Sequence, residues 1–317
     1  MFLKCGERAS ITFNTTVRQH VTGNAPTNLP PNPIFNTPNA QNIVLAILSN
    51  MPNNSVEAWL ETCEAAARAG GQELLAWQGR FQTRTKGVRD LVTDADLASQ
   101  EAVRRIVMGR FPEHCFVSEE QGPKSTAAGA NQLTWIVDPL DGTTNYVHGY
   151  PNFAVSVAIA RGNDVQAGVV YDPLRNQCFS AAAGKGAWCN GSRLKTSDVT
   201  AVDEALVAVS LPPHVERDSA DLLDFIEAAQ ASQAVRRSGS AALNLAHVAS
   251  GALDAFWATQ IHAWDVAAGV LLIREADGII TGRNGQPFDL WNPHFLAAAG
   301  LQLHGKMLEV LTKFSPR

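Results

Sequence analysis

Residues 135–148, which read WIVDPLDGTTNYVH, constrain the possible folds more than any other stretch of the chain. The segment opens on an apolar run that includes β-branched side chains, and such a run predicts a short buried strand. Asp138 places a carboxylate at the carboxyl end of this strand, where open α/β folds bind their ligands. Pro139 lacks a backbone N–H, so we expect the strand to end there. The segment therefore favours an α/β protein with a ligand site at this point.

A second carboxylate and a potential anion-binding turn follow the strand. Asp141 leads into Gly142, whose missing side chain lets backbone approach a ligand closely. Thr143 and Thr144 are suited to cap a helix, and the free N–H groups at a helix start attract phosphate. Two carboxylates would repel such an anion unless a cation lay between them. Asp-Pro and Asp-Gly are also ordinary turn dipeptides, so a purely structural turn is the competing interpretation.

Composition argues against several classes of partner. The 317 residues are 45% hydrophobic and 17% charged, which is enough for one large domain or two moderate ones. The formal net charge is −5 and there is no dense Lys/Arg run, so we expect neither a nucleic-acid nor a membrane partner. The five cysteines form no CxxC pair, and the apolar run at residues 43–48 is too short to span a bilayer. A reducing cytoplasm is the expected location.

The first 54 residues differ in composition from the rest of the chain. Between residues 22 and 54, 15 of 33 residues are Asn or Pro, with neither helical nor strand periodicity. Such a segment cannot bury enough apolar surface to offset its ordering entropy. We therefore expect a disordered or loosely attached arm over residues 1–54, followed by one globular domain over residues 55–317.

Helical and strand patterns alternate along that domain. Ser55 is expected to cap a helix reaching about residue 78, and Thr93 a helix at 94–110, with a loop at 86–93 between them. Strands are predicted at 116–117, 153–160, 165–171, 178–182 and 187–189, and a loop at 122–131. Further strands are predicted at 206–210, 234–237, 254–257, 279–281 and 295–299, and helices at 219–230, 241–250, 265–276 and 303–314. Gly278 is expected to be the glycine that ends the helix before it. Without a repeat period, this alternation indicates a compact, two-lobed α/β or α+β protein.

Six carboxylates lie where predicted elements begin or end: Asp96, Glu119, Glu120, Asp138, Asp141 and Asp265. If they converge, no comparable group of Lys or Arg side chains is available to neutralise them, and buried unpaired charge is very costly. All-oxygen ligands without Cys or His favour Mg²⁺. Two such ions can lower the pKa of water beside a phosphate, which predicts hydrolysis of a phosphate monoester without a histidine base. Asp96 has a competing role, because its position three residues after Thr93 fits a capping box.

Four segments together resemble the inositol monophosphatase family. WIVDPLDGTTNYVH and WDVAAGVLLIREADG (residues 264–278) resemble its two signature motifs. VSEE (117–120) and DLVTDAD (90–96) match its other metal-site segments, and the resemblance extends over about residues 55–315. It implies an α/β fold built as an αβαβα five-layer sandwich. It also implies a homodimer that depends on Mg²⁺ and is often inhibited by Li⁺.

The resemblance implies a role for each matching residue near the metals. The implied metal ligands are Glu119, Asp138, the Leu140 carbonyl, Asp141 and Asp265. Of these, Glu119, Asp138 and Leu140 would hold one Mg²⁺ ion. Asp138, Asp141 and Asp265 would hold a second, so that Asp138 bridges the two. Glu119 would also reach a weaker third ion, with Glu120 as outer support and Lys86 on a mobile loop that closes nearby.

The same resemblance assigns the remaining site residues. The implied catalytic residues are Asp96, Glu119 and Thr143, and Asp96 and Thr143 would orient the attacking water. The implied phosphate and substrate contacts are Asp141, Gly142, Thr143, Thr144, Gly239, Ser240, Ala241 and Ala258. Backbone N–H groups of Gly142 and Thr143 would bind the phosphate, and Gly239–Ser240–Ala241 would form the substrate loop.

Two positions depart from the family pattern. Ala258 lies where inositol-specific members carry a hydroxyl-binding Glu, and losing such a contact typically costs ~1.5–3 kcal/mol of recognition. Asp277 lies where a Gly is common, at the far end of its helix from Asp265, so we expect little effect. Inositol 1-phosphate is the leading substrate, and histidinol phosphate or a sugar phosphate is the alternative. A non-catalytic metal-binding protein that docks partners is the alternative of another class.

Overall fold

The computed structural model describes residues 54–87, 90–121, 132–212 and 214–311. The loop predicted at 122–131 lies outside the described residues, as does the arm predicted at 1–54 except for its last residue. None of the described helices combines the length and the apolarity needed to cross a lipid bilayer.

Two packed helices form the first layer. α1 (Val56–Trp77) begins after Ser55, whose hydroxyl accepts a hydrogen bond from Ala58 N at 3.1 Å. α2 (Asp94–Arg110) begins after Thr93, and both N-caps are as predicted. The two helices approach closely at Gly70, because a Cβ there would lie 2.7 Å from Ser99 Oγ.

A short antiparallel hairpin replaces the loop predicted at 86–93. β1 (Thr83–Gly87) pairs with β2 (Asp90–Thr93), with Thr83 opposite Thr93. The prediction is wrong because the described side chains of β1 are exposed and polar, so the strand carries no apolar alternation. Asp94 fastens the hairpin to α2, since its carboxylate accepts hydrogen bonds from Gln82 N at 3.0 Å and from Arg84 at 2.7 Å.

A seven-stranded sheet forms the second layer. Its strands are β3 (Cys115–Ser118), β4 (Leu133–Asp141), β5 (Ala154–Arg161), β6 (Asp164–Asp172), β7 (Gln177–Ala182), β8 (Ala187–Cys189) and β9 (Ser192–Arg193). They follow one another in chain order across the sheet, with β3 and β4 parallel and the other pairs antiparallel. The predicted antiparallel meander is therefore confirmed. A one-turn helix, α3 (Thr143–Val147), follows β4.

β4 continues through Pro139 instead of ending there. Pairing with β5 runs as far as Asp138 opposite Ser156 and resumes at Asp141 opposite Ala154. The extra residue on β4 between these two pairs makes a β-bulge. A bulge leaves ladder positions unpaired, so a residue without an N–H is tolerated. The prediction that Pro139 ends the strand is wrong for this reason.

A five-stranded mixed sheet and four helices form the remaining layers. The strands are β10 (Leu206–Ser210), β11 (Ala234–Arg236), β12 (Ala255–Ala258), β13 (Ile279–Gly282) and β14 (Phe295–Ala298), in the order β11-β10-β12-β14-β13. The helices are α4 (Ala220–Ala231), α5 (Ala241–Ala249), α6 (Ala263–Glu275) and α7 (Leu301–Leu311). Single-turn 3₁₀ helices lie at Glu119–Gln121 and Val202–Glu204.

Three apolar cores define five layers. The first core lies between the helix pair and the larger sheet and contains Trp59, Val103 and Trp135. The second holds α5 and α6 between the two sheets, and the third packs α4 and α7 on the far side of the smaller sheet. The predicted αβαβα sandwich is confirmed.

The end of α6 corrects a detail of the prediction. Asp277, and not Gly278, adopts the left-handed conformation there, with φ of 69°. Gly278 N then donates to Ile273 O at 2.9 Å, which closes the last turn. The glycine lies one residue beyond the left-handed position, which aspartate tolerates better than most residues do.

Candidate active site

Three carboxylates distant in sequence meet at one point. Asp138 and Asp141 come from β4, and Asp265 from the first turn of α6. One ligand oxygen from each lies within 4.8 Å of the other two. Asp138 and Asp141 are buried and Asp265 is half-buried. The structure thus brings together the three acids that the resemblance assigns to one metal.

The bulge in β4 sets the direction of Asp138. Its carboxylate accepts a hydrogen bond from Leu140 N at 3.0 Å, so the chain folds back on its own side chain. The hydroxyl of Ser99, in α2, donates to Pro139 O at 2.7 Å and supports the bulge from behind. The β-bulge that accommodates Pro139 therefore also fixes the orientation of the Asp138 carboxylate.

Asp141 is bound by the start of α5. Its carboxylate accepts hydrogen bonds from the Ser240 hydroxyl, from Ala241 N at 3.2 Å and from Ala242 N at 2.8 Å. Two residues predicted as substrate contacts, Ser240 and Ala241, therefore also position a carboxylate. Ala242 was not among the predicted site residues, although Ser240, immediately before an apolar helical run, indicates a helix N-terminus with free N–H groups.

Asp265 is held within the start of its own helix. His262 N donates to Asp265 Oδ2 at 2.7 Å in a capping box. The His262 ring stacks on Trp264, with ring centroids 4.6 Å apart. This packing restricts the backbone that carries the acid.

The cluster is electrostatically strained without a cation. Burial, and then the charges of Glu119, Asp141 and Asp265, hold the pKa of Asp138 well above its usual range. Burial, Asp141 and Glu119 do the same to the pKa of Asp265. Burial raises the pKa of Asp141 to about 6 although its hydrogen bonds oppose the change. Glu119, at the end of β3 beside β4, therefore belongs to the same electrostatic cluster.

Asp96 and Thr143 are in contact at the edge of the cluster. Thr143 Oγ1 lies 3.2 Å from Asp96 Oδ1 and 3.1 Å from Leu140 O, and its single proton can serve one of them at a time. The other carboxylate oxygen of Asp96 accepts from Thr93 N at 2.7 Å and from Thr93 Oγ1 at 2.6 Å. The capping box and the contact with Thr143 are thus both present.

Gly142 makes the corner between strand and helix. Its φ is 98°, and a Cβ would lie 3.0 Å from Asn152 O and 3.2 Å from Gly239 O. Gly142 is the N-cap of α3, and no side chain caps this helix. The prediction that the threonine pair caps it is wrong, because the Thr143 hydroxyl is directed to Asp96 and Leu140 and Thr144 is exposed.

The other site residues from the sequence analysis are placed less centrally. Glu119 and Glu120 are half-buried in the 3₁₀ turn after β3. Gly239 is exposed beside Gly142. Ala258 is fully buried on β12, opposite Phe295. Lys86 lies in β1, and its side chain is outside the described part of the structure.

The donor atoms fit a hard divalent cation. Within the described part of the chain, no Lys or Arg side chain forms an ion pair with Asp138, Asp141 or Asp265. The available ligands are carboxylate oxygens together with the Leu140 carbonyl, which is the ligand chemistry of Mg²⁺. The elevated pKa values show that the folded chain disfavours the charges unless something compensates them.

The fold and the acidic cluster define a class of protein, a five-layer αβαβα protein whose acidic site is suited to metal-assisted phosphoryl transfer. Comparison with known proteins is more specific. The sequence profile of the inositol monophosphatase family matches residues 55–314, and the chain belongs to that family.

Individual relatives agree with this assignment. The chain is 39% identical over 258 residues to phosphatase IMPL1, chloroplastic, of Arabidopsis thaliana, covering 79% of this chain and 69% of the relative. It is 33% identical over 264 residues to fructose-1,6-bisphosphatase/inositol-1-monophosphatase of Aquifex aeolicus, covering 82% and 97%. The solved structure of inositol monophosphatase from Anabaena has a TM-score of 0.73 at 35% identity, covering 83% of this chain and 98% of that one. The chain is therefore a phosphatase that hydrolyses phosphomonoesters, in a family that depends on Mg²⁺.

Proposed function

We propose that this phosphatase hydrolyses the phosphate monoester of a small polyol, with inositol 1-phosphate as the leading substrate. The observation that carries the proposal is the meeting of Asp138, Asp141 and Asp265 beside the Gly142 corner. Burial and mutual repulsion raise the pKa values of these acids, and a bound cation together with a substrate phosphate would compensate their charge.

The proposed reaction uses two to three Mg²⁺ ions. Glu119, Asp138 and the Leu140 carbonyl would hold one, and Asp138, Asp141 and Asp265 a second. Glu120 and Lys86 are proposed to act near a third, which Glu119 would also reach. When bound, Mg²⁺ supplies Lewis-acid polarisation of the phosphate and a lower pKa for water at the site.

The protein's own groups position the reactants and accept the proton. Asp96 and the Thr143 hydroxyl, 3.2 Å apart, form a relay that orients the attacking water: Thr143 Oγ1 takes the proton of the water as it passes its own proton to Asp96 Oδ1, so that the carboxylate is the final acceptor. Backbone N–H groups of Gly142 and Thr143 are proposed to bind the phosphate, with Thr144 beside them. Gly239, Ser240 and Ala241 are proposed to face the alcohol.

Ala258 favours a second candidate among the alcohols. The methyl group lies fully inside the core against Phe295 and offers no acceptor to a substrate hydroxyl. A polyol that depends on a carboxylate at this point would bind more weakly by ~1.5–3 kcal/mol. A sugar phosphate or histidinol phosphate is therefore the alternative substrate, and the name of the Aquifex relative includes one sugar bisphosphate.

A phosphate-release panel tests the proposal. Inositol 1-phosphate, histidinol phosphate, fructose 1,6-bisphosphate and glycerol 2-phosphate are compared with and without Mg²⁺. We expect Mg²⁺-dependent release, and Asp138→Asn should lower kcat by about 10²-fold or more on every ester. Asp164→Asn, the same change at an exposed acid, should leave kcat unaltered. Full activity of Asp138→Asn would contradict the metal assignment, and a specificity constant for inositol 1-phosphate far below the others would replace it as the leading substrate.

From the family resemblance we also propose a homodimer that is inhibited by Li⁺, and from the scattered cysteines a cytoplasmic location. Sedimentation of the purified chain should give twice the protomer mass. Titration with LiCl at fixed Mg²⁺ should lower the rate. A monomer, or a rate unchanged by Li⁺, would contradict the respective part.

A further inference from the structure

The side-chain amide of Asn145 links the helix that begins after Gly142 to the proposed substrate loop at Gly239–Ser240–Ala241. Asn145 lies in α3, one turn beyond Asp141. Its amide nitrogen donates to Asn152 O at 2.7 Å and to Ser238 O at 2.8 Å. Both N–H bonds are therefore used, and one of them crosses to a segment 93 residues away in sequence.

A second side chain, Asp141, forms hydrogen bonds with the other end of this loop. Asp141 accepts hydrogen bonds from the Ser240 hydroxyl and from Ala241 N and Ala242 N. Asn145 holds the carbonyl of Ser238, two residues earlier. The two side chains, four positions apart around the corner, together fix both ends of residues 238–242.

The loop and the corner at Gly142 are packed so closely that neither glycine has room for a side chain. Gly239 has φ of 81°, and a Cβ there would lie 2.9 Å from Asn145 Nδ2 and Oδ1. A Cβ on Gly142 would lie 3.2 Å from Gly239 O. The Asn145 amide therefore packs directly against Gly239, and the backbones of Gly142 and Gly239 are in close contact.

Two other asparagine side chains also form hydrogen bonds with Ser238. Asn152 Nδ2 also donates to Ser238 O, at the longer distance of 3.2 Å. The Ser238 hydroxyl donates to Asn244 Oδ1 at 2.6 Å. Ser238 is thus held at its carbonyl and at its hydroxyl, and of the two amides that donate to the carbonyl Asn145 is the nearer.

We infer that Asn145 is a positioning residue, which locks residues 238–240 against Gly142 so that the alcohol side and the phosphate side of the site keep one geometry. The inference rests on the proposed phosphatase function. Aspartate has nearly the same shape but no N–H, and its carboxylate would face two carbonyl oxygens. Asn145→Asp should therefore release the loop without leaving a cavity.

The experiment compares Asn145→Asp with a matched change elsewhere. Asn163 also ties two segments, since its Nδ2 donates to Phe288 O at 2.8 Å and its Oδ1 accepts from Leu290 N at 2.6 Å, but it lies in the β5–β6 turn. We expect Asn145→Asp to raise KM about tenfold and to change kcat less than about threefold, because the loop binds the alcohol and does not take part in proton transfer. Asn163→Asp should leave both constants at wild-type values whatever it does to the melting temperature.

Two binding measurements do not depend on turnover. Calorimetric titration with MgCl₂, and with inorganic phosphate at saturating Mg²⁺, should show weaker binding by Asn145→Asp in both cases and unchanged binding by Asn163→Asp. If Asn145→Asp does not fold, Asn152→Ala replaces it and should raise KM about two- to threefold. KM and both affinities of the tested variant equal to those of Asn163→Asp would overturn the inference. A wild-type protein inactive on every ester would instead overturn the proposed function.

Discussion

Carboxylate crowding should make the metal-free protein lose stability as pH rises. Burial raises the pKa of Asp141 from its ordinary value of 3.8 to about 6, and burial with neighbouring acids holds the pKa values of Asp138 and Asp265 well above their usual range. The folded state then binds more protons than the unfolded state. These groups stabilise the fold fully below about pH 4, and their contribution disappears as pH rises through the folded-state values.

The size of the effect can be worked out from Asp141 alone. The change from 3.8 to about 6 corresponds to about 3 kcal/mol at 1.36 kcal/mol per pKa unit. Roughly 1.4 kcal/mol of this falls between pH 5 and pH 8, which a domain of this size would register as about 3–6 °C in melting temperature. Asp138 and Asp265 act in the same direction.

Buried histidines oppose this trend, so the assay uses a difference between two proteins. Burial lowers the pKa values of His114, His247 and His304, and their contribution to stability rises as pH increases through the range of free histidine. Asp138→Asn carries the same histidines but one acid fewer. In EDTA we expect this variant to melt at a higher temperature than wild type at pH 8, and the difference to shrink at pH 5.

Added Mg²⁺ should reverse the order of the two proteins. Mg²⁺ at about 100 times its Kd would stabilise the wild type by about 2.7 kcal/mol and the variant by much less. Calorimetry or fluorescence melting at both pH values, with EDTA or MgCl₂, measures all four differences. A variant less stable than wild type at pH 8 in EDTA would refute the reasoning, because removing a charge would then have relieved nothing.

Three further substitutions test single features of the backbone and the core. Asp277→Gly should raise the melting temperature by an amount equivalent to about 0.5–1 kcal/mol without altering kcat, because the left-handed position after α6 would no longer carry a side chain. A lower melting temperature would contradict this prediction. Gly142→Ala should abolish phosphate release and cost about 1–3 kcal/mol in a denaturant titration, since its Cβ would lie 3.0 Å from Asn152 O, and a fully active variant would refute the close approach. Tyr146→Phe removes a buried hydrogen bond of 2.6 Å to Leu74 O and should cost about 1–2 kcal/mol in the same titration, with KM unchanged.

The layered fold was predictable because its elements carry strong local signals. Ser55 and Thr93 precede amphipathic helices as good N-caps, and both cap as expected. The apolar runs of β5 and β6 lie on either side of the turn-forming residues 161–164, and this pattern correctly predicted a hairpin. Each of these signals depends on residues a few positions apart, which a single sequence displays directly.

The details that failed depend on contacts distant in sequence. Pro139 is compatible with a strand only because β5 pairs around a bulge, and no local pattern reveals that register. The hydrogen bond from Ala242 N to Asp141 joins residues 101 positions apart. Packing between elements, and not propensity within them, decides both.

Asp96 shows why spacing alone could not choose between a structural and a catalytic role. A carboxylate has two oxygens, and here they are divided: Oδ2 accepts from the Thr93 backbone and hydroxyl, and Oδ1 faces Thr143 Oγ1 at 3.2 Å. The cap fixes the rotation of the side chain, and that rotation is what aims the second oxygen at the edge of the acidic cluster. The two interpretations were therefore never exclusive, because the structural hydrogen bonds preorganise the group that the proposed reaction uses.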